Sequence, residues 1–237
     1  MADRDELPAI CILAGGLGAR LGALVADTPK PLLEVAGEPF LLHQLRLLAA
    51  HGARSVILCV GYLGERIEKR IGDEQFGIRI AYSYDGPMLQ GTLGAIRRAL
   101  PLLPPRFLVL YADTYLRLDY RAAAEAWRAS GLHGLMTVFR NDGRWDASNA
   151  TYESGRVVAY DKDAPTPEMR WIDYGLGGLD HSALEFVDAA ESDLATLYRR
   201  LADRSELCGY EVADRFYTIG TAESFSETES FLRAMRR

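Results

Sequence analysis

Short apolar runs alternate with segments of helical period through the first half of the chain. The runs are rich in β-branched residues and read AICILA, SVILCV, IRIAYS and FLVLYAD, beginning at Ala9, Ser55, Ile78 and Phe107. Between the first two runs, apolar residues recur three or four positions apart from Pro39 to His51. Strands that alternate with helices are joined by right-handed crossovers, so the pattern predicts an α/β fold with a mostly parallel, doubly wound, Rossmann-like sheet.

From Gly134 onwards the sequence pattern changes from alternating strands and helices to short strand-like runs. The strand-like runs LMTVFR, NATYE and RVVAYDK are joined by the turn signals NDGRW and SG, which indicate a hairpin-rich C-terminal half. Apolar periodicity predicts five helices, at about 39–51, 65–71, 92–103, 188–202 and 222–235.

Composition and charge restrict the classes of function that the chain can have. With 237 residues, 49% of them hydrophobic, and a net charge of -6, the chain is typical of a soluble globular protein. An acidic surface without a basic block argues against nucleic acid as a partner. The start, MADRDELPAI, lacks the pattern of a signal peptide and no apolar run approaches a membrane span, so we expect a cytoplasmic protein with no membrane partner. Cys11, Cys59 and Cys208 are odd in number and widely spaced, which indicates free thiols.

A glycine-rich turn directly follows the first predicted strand. Gly15, Gly16 and Gly18 can point several backbone N–H groups at one anion, an arrangement that suits phosphate. Arg20 lies inside this turn, and Lys30 stands between two prolines that restrict the backbone on both sides. Two cations and a row of amides predict a triphosphate site; the alternative is a plain tight turn with two solvated charges.

Two common phosphate loops do not match this stretch. The dinucleotide pattern GxGxxG would require a small residue where Leu21 stands, and the next strand ends in Val60-Gly61 with no acidic residue for a ribose. The Walker pattern requires a lysine followed by serine or threonine, and Arg20-Leu21 does not supply it.

The residues AGGLGARL at 14–21 and PKPL at 29–32 match a specific family pattern, AGG-x-G-x-R-L followed by PKP-[LM]. By these motifs the chain resembles the sugar-1-phosphate nucleotidyltransferases, or nucleoside-diphosphate-sugar pyrophosphorylases, and most of all the short bacterial heptose-1-phosphate guanylyltransferase-like branch. The similarity continues over most of the chain, at 89–95, 110–114, 160–162 and 173–175.

The resemblance implies a fold of the nucleotide-diphospho-sugar transferase type in one domain, 1–237. Its nucleotide-binding part would span about 8–118 and its sugar-phosphate-binding part about 134–237. The implied partners are a nucleoside triphosphate and a sugar 1-phosphate, which would react with Mg²⁺ to give a nucleotide sugar and pyrophosphate. GTP and a manno- or heptose-type sugar are the best guess by branch, and a homodimer is an open possibility.

The resemblance also assigns roles to residues. Three would be catalytic: Arg20 and Lys30 on the triphosphate, and Asp113 as the magnesium ligand. The nucleotide would be bound by Leu13, Ala14, Gly15, Gly16, Gly18, Gln90, Gly91 and Thr92. The sugar phosphate would be bound by Asn149, Lys162, Asp173, Tyr174 and Gly175.

The chemistry of such a reaction agrees with the residues that are present. A phosphate monoester has a second pKa of about 6 and is already largely anionic at neutral pH, so no general base is needed. Accordingly, none of the four histidines lies in a catalytic motif. Catalysis would rest on positioning and positive charge. Asp113 follows a buried strand, where it could be a metal ligand or a helix N-cap.

One position departs from the family pattern. Many relatives carry a second acidic residue in a C-terminal string like W-x-D-x-G-T, and Thr218 occupies that position here. A neutral hydroxyl does not replace a carboxylate's charge, so Asp113 would hold the metal with phosphate oxygens and water, or another acid, Asp173 or Asp214, would assist it.

Several alternatives stay open at this point. The nucleotide could be UTP, CTP or dTTP, and the acceptor could be a non-sugar phosphate or phosphonate with a choline-type or aminoethyl group, caged by Tyr174 and Asp173. Thr218 also allows a weakly active nucleotide-binding regulatory protein. Trp145 and Trp171 could stack on a sugar or simply pack in the rim.

Overall fold

The apolar runs and helical segments form an alternating series of strands and helices in the computed structural model, which describes residues 7–16, 18, 21 and 27–235. The strands are β1 (Ile10–Leu13), β2 (Glu34–Val35), β3 (Glu38–Pro39), β4 (Ser55–Val60), β5 (Glu74–Gln75), β6 (Ile78–Tyr84), β7 (Arg106–Tyr111), β8 (Thr114–Tyr115), β9 (Gly134–Arg140), β10 (Ala150–Glu153), β11 (Arg156–Tyr160), β12 (Trp171–Asp180), β13 (Leu207–Val212) and β14 (Tyr217–Thr218). The helices are α1 (Phe40–Ala50), α2 (Gly64–Ile71), α3 (Gly91–Ala99), α4 (Tyr120–Ser130), α5 (Leu194–Asp203) and α6 (Ala222–Met235).

The strands of the first half form the parallel centre of a ten-stranded sheet. The order is β10-β11-β13-β9-β12-β7-β1-β4-β6-β5, and β7, β1, β4 and β6 run parallel to one another. The chain starts in the middle, steps outward through β4 and β6, and returns to the other side of β1. Strands covered on both faces need continuous apolar sequence, and residues 56–60 are all buried. The predicted α/β class is confirmed.

The second half of the sheet is largely antiparallel, and the SG turn joins a hairpin as predicted. The stretch NDGRW does not, because the strands on either side of it, β9 and β10, are not paired with each other. Strand β12 pairs antiparallel with both β7 and β9, and β10 and β11 form a hairpin. One residue pair, Ala150 and Trp171, also joins β10 to β12. Strands β12, β9, β13, β11 and β10 therefore form a closed circuit at one end of the sheet.

Helices cover both faces of the sheet. Apolar side chains of α1, α2 and α4 pack on one face, among them Leu45, Ile67 and Trp127. Those of α3 and α5 pack on the other, for example Ile96 and Leu197. The last helix, α6, covers the two small sheets β2–β3 and β8–β14.

Two helix predictions differ from the structure. Helix α4 was not predicted, because two of its four buried residues are alanines, which carry little apolar signal. It begins after the N-cap Asp119 and buries Tyr120 and Trp127. Helix α5 begins at Leu194, and residues 188–193, which were predicted as its first turns, form a loop instead.

The three cysteines are free and buried, in agreement with the prediction from their spacing. The Sγ atoms of Cys11 and Cys59 lie 3.4 Å apart between β1 and β4. Within the described part of the chain, no helix combines the length and apolarity needed to cross a membrane.

Replacing the N-cap of α4 tests the helix that sequence reasoning missed. The side chain of Asp119 accepts a hydrogen bond from Ala122 N at 3.0 Å. We expect Asp119→Ala to lower the free energy of unfolding by about 1 kcal/mol in urea titrations, because one backbone donor of the first turn loses its partner. The control is Asp119→Asn, which retains an acceptor and should stay within about 0.5 kcal/mol of the parent. Equal loss in both variants would contradict the capping role.

Candidate active site

A cleft opens where the order of the parallel strands reverses, between β1 and β7. Ligands of open α/β sheets bind at such switch points, outside the carboxyl ends of the strands. The cleft encloses about 380 Å³ between the loop after β1, the end of β7 and the first turn of α3. The sequence-predicted residues that line it are Leu13, Ala14, Gly15, Gly16, Gly18, Lys30, Gly91, Thr92 and Asp113.

An ion pair joins the two candidate catalytic residues that the structure describes. Lys30 Nζ lies 2.5 Å from Asp113 Oδ2, and the two side chains are 11% and 28% exposed. Lys30 opens a short 3₁₀ turn, and the adjacent Pro31 is buried and lines the same cleft. The prolines thus fix the backbone that presents the ammonium. The third candidate, Arg20, lies outside the described residues.

The glycine-rich loop leaves its backbone open to the cleft. A Cβ on Gly15 would lie 3.2 Å from both Gly61 N and Asp85 Oδ2, so a side chain there would crowd the neighbouring strand end. A Cβ on Gly16 would meet no atom within 4 Å, because this residue faces open space. Gly18 has φ +63°, a conformation that favours glycine. The loop can therefore approach an anionic ligand closely.

Asp85 is a cleft residue that sequence reasoning missed. It is 5% exposed, follows directly after β6, and lines the cleft. Its Oδ2 accepts a hydrogen bond from Gln90 N at 3.4 Å, while burial raises the pKa of its carboxyl group. An acidic residue at the carboxyl end of a strand was the signal that singled out Asp113, and the same signal could have found Asp85.

The predicted stretch Gln90-Gly91-Thr92 forms the start of α3. The side-chain amide of Gln90 donates to Met88 O at 2.8 Å, so it turns towards its own loop. Gly91 has φ +72°, and a Cβ there would lie 2.6 Å from Ser192 O. Only glycine fits this approach of two backbones, which holds the first turn of α3 against the loop before α5.

Four of the five candidate sugar-phosphate residues lie together in the second half. Asp173 N donates to Asn149 Oδ1, and Gly175 N donates to Asp173 Oδ1, both at 2.9 Å. Burial raises the pKa of Asp173 to about 6, although the backbone N–H of Gly175 and the charge of Lys162 act in the opposite direction. Lys162 Nζ itself is 2.8 Å from Asp193 Oδ2.

Tyr174, the fifth candidate, points its side chain elsewhere. It is 1% exposed, and its hydroxyl donates to Arg117 O at 3.2 Å. Its ring packs against Phe139 and Phe216. The side chain therefore contributes to the core on the opposite side of β12 from Tyr160 and Tyr198, which pack on the α5 side of the sheet.

Three tyrosines near Asp173 were also missed: the buried Tyr160 and Tyr198 and the partly buried Tyr111. Burial raises the pKa of each phenol, and the negative charge of Asp173 adds to the shift. Tyr111 lines the cleft at the end of β7 and so lies between the two groups of candidate residues. A tyrosine inside an apolar run looks the same in the sequence whether it binds a ligand or packs in the core.

The two tryptophans have partners other than the cleft. The guanidinium of Arg215 lies 3.7 Å from the ring centre of Trp145, and the indole N–H of Trp171 donates to Glu211 Oε1 at 2.8 Å. Neither is among the residues that line the cleft in the described part of the chain.

The structure places Thr218 beside Asp113. Strand β14 pairs antiparallel with β8, which sets Thr218 opposite Thr114, and Ile219 N donates to Asp113 O at 3.0 Å. Asp214 is exposed. No group of three or more histidine, cysteine, aspartate or glutamate side chains suited to a metal occurs among the described residues. Asp113 and Asp85 are the acidic side chains that line the cleft in the described part of the chain.

Comparison with known proteins agrees with this geometry. The sequence profile of the family described as "Nucleotidyl transferase" matches residues 9–148, which is more than half of the chain. The chain belongs to the nucleotidyl transferase family. The matched region contains the glycine-rich loop, Lys30, Asp85, α3 and Asp113.

Relatives of this family with curated names include two guanylyltransferases. The catalytic subunit beta of mannose-1-phosphate guanylyltransferase from Drosophila pseudoobscura is 28% identical over 221 residues, which cover 90% of this chain and 59% of that protein. The D-glycero-alpha-D-manno-heptose 1-phosphate guanylyltransferase of Campylobacter jejuni is 40% identical over 108 residues, 46% of this chain and 48% of that one. The chain spans about three-fifths of the length of the mannose-1-phosphate relatives.

Solved structures share the fold. HddC from Yersinia pseudotuberculosis superposes with a TM-score of 0.79 at 21% identity, covering 95% of this chain and 100% of that one. The same protein has been solved in complex with GMP-PN. A putative glucose-1-phosphate thymidylyltransferase from Bacillus anthracis also superposes with a TM-score of 0.79, at 18% identity, covering 96% of this chain and 95% of that one.

Alanine substitutions at two glycines with positive φ distinguish the energetic cost of backbone strain from that of a steric clash. Gly91→Ala adds both a left-handed alanine and a clash with Ser192 O, whereas Gly37→Ala adds only the first, since a Cβ on Gly37 (φ +87°) meets no atom within 4 Å. We expect Gly37→Ala to cost about 1–2 kcal/mol of unfolding free energy, and Gly91→Ala to cost about 1–3 kcal/mol more. Urea titrations of both variants measure the difference. Equal costs would show that α3 and the loop before α5 are not in close contact.

Proposed function

We propose that the protein transfers a nucleotidyl group from a nucleoside triphosphate to a sugar 1-phosphate and releases pyrophosphate. The observation that carries this proposal is the ion pair of Lys30 and Asp113 beside an open glycine loop, in a cleft at the switch point of the sheet. GTP as donor and a manno- or heptose-type sugar as acceptor have the best support, since the relatives in both classes are named guanylyltransferases.

The reaction requires an attack of one phosphate on another. An oxygen of the sugar phosphate would bond to the α-phosphorus, the bond from that phosphorus to the bridging oxygen would break, and pyrophosphate would leave with the electron pair. The nucleophile is already an anion, so it needs no proton acceptor. In agreement with this chemistry, the described lining of the cleft contains no histidine.

The barrier in such a transfer comes from bringing anions together, so the protein must supply positive charge in fixed places. Lys30 would bind the triphosphate beside the glycine loop, and Lys162 would bind the sugar phosphate. Arg20 joins this set as a prediction from the sequence motif. Asn149, Asp173 and Gly175 would orient the sugar by hydrogen bonds.

Asp113 would hold Mg²⁺. This ion prefers oxygen ligands and is usually bound by one or two carboxylates together with substrate phosphates. The donor set fits that description, because Asp113 is partly exposed in the cleft and has Thr218, not a second acid, beside it. A bound magnesium ion supplies positive charge to the phosphates, and most of its remaining ligands would come from substrate and water.

Asp85 gives a chemical reason to prefer guanine. An ionised carboxylate only accepts hydrogen bonds. Guanine presents two adjacent donors, N1–H and the 2-amino group, whereas the pairing edge of each other common base places an acceptor beside its donor. A buried carboxylate in the wall of the cleft therefore matches guanine and discriminates against uracil, thymine and cytosine.

We further propose that the chain acts as one domain, with about 8–118 holding the nucleotide and about 134–237 the acceptor. The reaction would take place in the cytoplasm, where nucleoside triphosphates are available.

The direct test is pyrophosphate release from GTP, ATP, UTP, CTP and dTTP, each with mannose, manno-heptose and other sugar 1-phosphates, with and without Mg²⁺. We expect release only when one triphosphate, one sugar phosphate and Mg²⁺ are present together. Asp113→Asn and Lys30→Met should each lower kcat/KM by about 10²–10³-fold, because each removes fixed charge from the site of reaction. Lys69→Met, on the exposed face of α2, is the control and should leave the rate unchanged.

Two outcomes would overturn this proposal. Release that depends on phosphocholine or aminoethylphosphonate would assign a non-sugar acceptor. Binding of GTP without release in any combination would assign a nucleotide-binding regulatory protein.

Asp85→Asn tests the choice of base. The amide offers one donor and one acceptor, so we expect kcat/KM for GTP to fall by about 10–100-fold, as for a lost hydrogen bond to a charged group, with a smaller change for UTP. Asp73→Asn, at an exposed position before β5, is the control.

Since burial raises the pKa of Asp85, the ionised form is lost at a higher pH than for an exposed aspartate. The KM for GTP should therefore rise on acidification in the parent and not in Asp85→Asn. Unchanged selectivity between GTP and UTP in Asp85→Asn would contradict a role of Asp85 in base recognition.

A further inference from the structure

The first turns of α3 and α5 are interlocked by hydrogen bonds. Leu93 N donates to Ser192 O and Leu194 N donates to Thr92 Oγ1, each at 2.8 Å. The hydroxyl of Thr92 in turn donates to Asp193 Oδ1 at 3.3 Å. Since Thr92 lines the cleft, this set of contacts joins the nucleotide side of the cleft directly to the start of α5.

Asp193 uses its two carboxylate oxygens for different partners. Oδ1 caps α5 by accepting from Ala195 N at 2.9 Å, and Oδ2 accepts from Lys162 Nζ at 2.8 Å. Burial alone would raise the pKa of Asp193, but the hydrogen bond from Lys162 and that from the helix lower it, so the carboxylate stays charged. Lys162 therefore has an anionic partner that is itself held by helix α5.

The loop that carries Asp193 is fixed from the nucleotide side as well. Arg97 of α3 donates to the backbone carbonyls of Asp188 at 2.7 Å and of Ala189 at 3.0 Å, and also to that of Glu191. One guanidinium thus holds three carbonyl groups of residues 188–191. The position of Asp193 therefore follows from contacts with α3 together with a hydrogen bond in its own loop, from Asp193 N to Glu191 Oε1 at 2.9 Å.

Lys162, in contrast, lies on a segment with little regular structure. Residues 161–170 connect β11 to β12 outside both strands, and the lysine side chain is 42% exposed. A long flexible side chain of this kind loses rotamer freedom when it binds a ligand, and a contact that orders it beforehand reduces that loss. An ammonium group has three donors, so a bond to Asp193 leaves two for a phosphate.

We propose that Asp193 is a positioning residue that holds Lys162 ready for the phosphate of the acceptor and ties it to the nucleotide side of the cleft through Thr92. This inference rests on the proposed function, in which Lys162 binds the acceptor phosphate. Asp193 itself acts through Lys162 and does not touch the reacting atoms.

Asp193→Asn is the variant that isolates this role, since asparagine caps a helix as well as aspartate does and α5 should remain intact. We expect the KM for the sugar 1-phosphate to rise about tenfold, with the KM for the triphosphate and the melting temperature unchanged. Asp188→Asn, an exposed position in the same loop, is the matched control and should leave both KM values unchanged.

A double-mutant cycle with Lys162→Met separates positioning from a structural role. If Asp193 acts through Lys162, Asp193→Asn should have no further effect on kcat/KM in the Lys162→Met background. Additive losses would overturn the inference, and so would an unchanged or lowered KM for the sugar phosphate in Asp193→Asn alone.

A second readout does not depend on turnover. Acetylation of Lys162 by an amine-reactive reagent, followed by mass spectrometry with Lys69 as the internal reference, should be several-fold faster in Asp193→Asn than in the parent, because the ion pair protects the ammonium. Equal labelling would overturn the inference whether or not the protein is active. Faster labelling in a protein that releases no pyrophosphate would leave the contact established and the proposed function wrong.

Discussion

The pairing of β1 with β7 determines what the cleft can contain. Parallel strands end at the same edge of a sheet, so the loop after β1 and the residues after β7 emerge side by side. This places Asp113 against Lys30, although 83 positions separate them in the chain. The glycine loop, the cation and the carboxylate meet because two strands share one register, and the helices on both faces keep that register by burying each strand.

Two lysines that are candidate phosphate ligands are paired with carboxylates. Lys30 is paired with Asp113 in the cleft, where the pairing offsets the cost of a mostly buried charge. Lys162 is paired with Asp193 at a more exposed position. Under the proposed function, substrate phosphates would join or replace these partners, so binding would exchange one set of charge contacts for another. The carboxylates remain in the site when phosphates bind, so the added negative charge would have to be offset by the lysines and by a bound cation.

Features with a local signal could be predicted from the sequence. The four parallel strands are continuous apolar runs, and the residues around Lys30 carry a specific motif, so the fold class and one side of the cleft followed directly. Helix α4 was missed because alanine contributes a weak apolar period, and α5 was predicted six residues too early because the loop before it resembles a helix in composition.

The remaining site residues depend on tertiary structure. The contact of Lys162 with Asp193 spans 31 positions, and that of Thr92 with Asp193 spans 101, so no pattern along the chain could indicate either. Asp85 is different, since it stands at a strand end like Asp113 and so has a local signal, but it lies outside the motifs that carry the family resemblance.

The two ends of the sheet differ in what they offer to another chain. At one end β10 turns back to contact β12, and at the other the two-residue strand β5 begins with the exposed Glu74. A long strand with free backbone groups at a sheet edge is a template for unwanted association, and a closed circuit or a short charged strand removes it. At the β5 end this cover is partial, because β5 pairs only with Ile78 and Arg79 and leaves the rest of β6 without a strand neighbour on that side among the described residues. The sheet is therefore better protected against edge-to-edge association at its β10 end than at its β5 end.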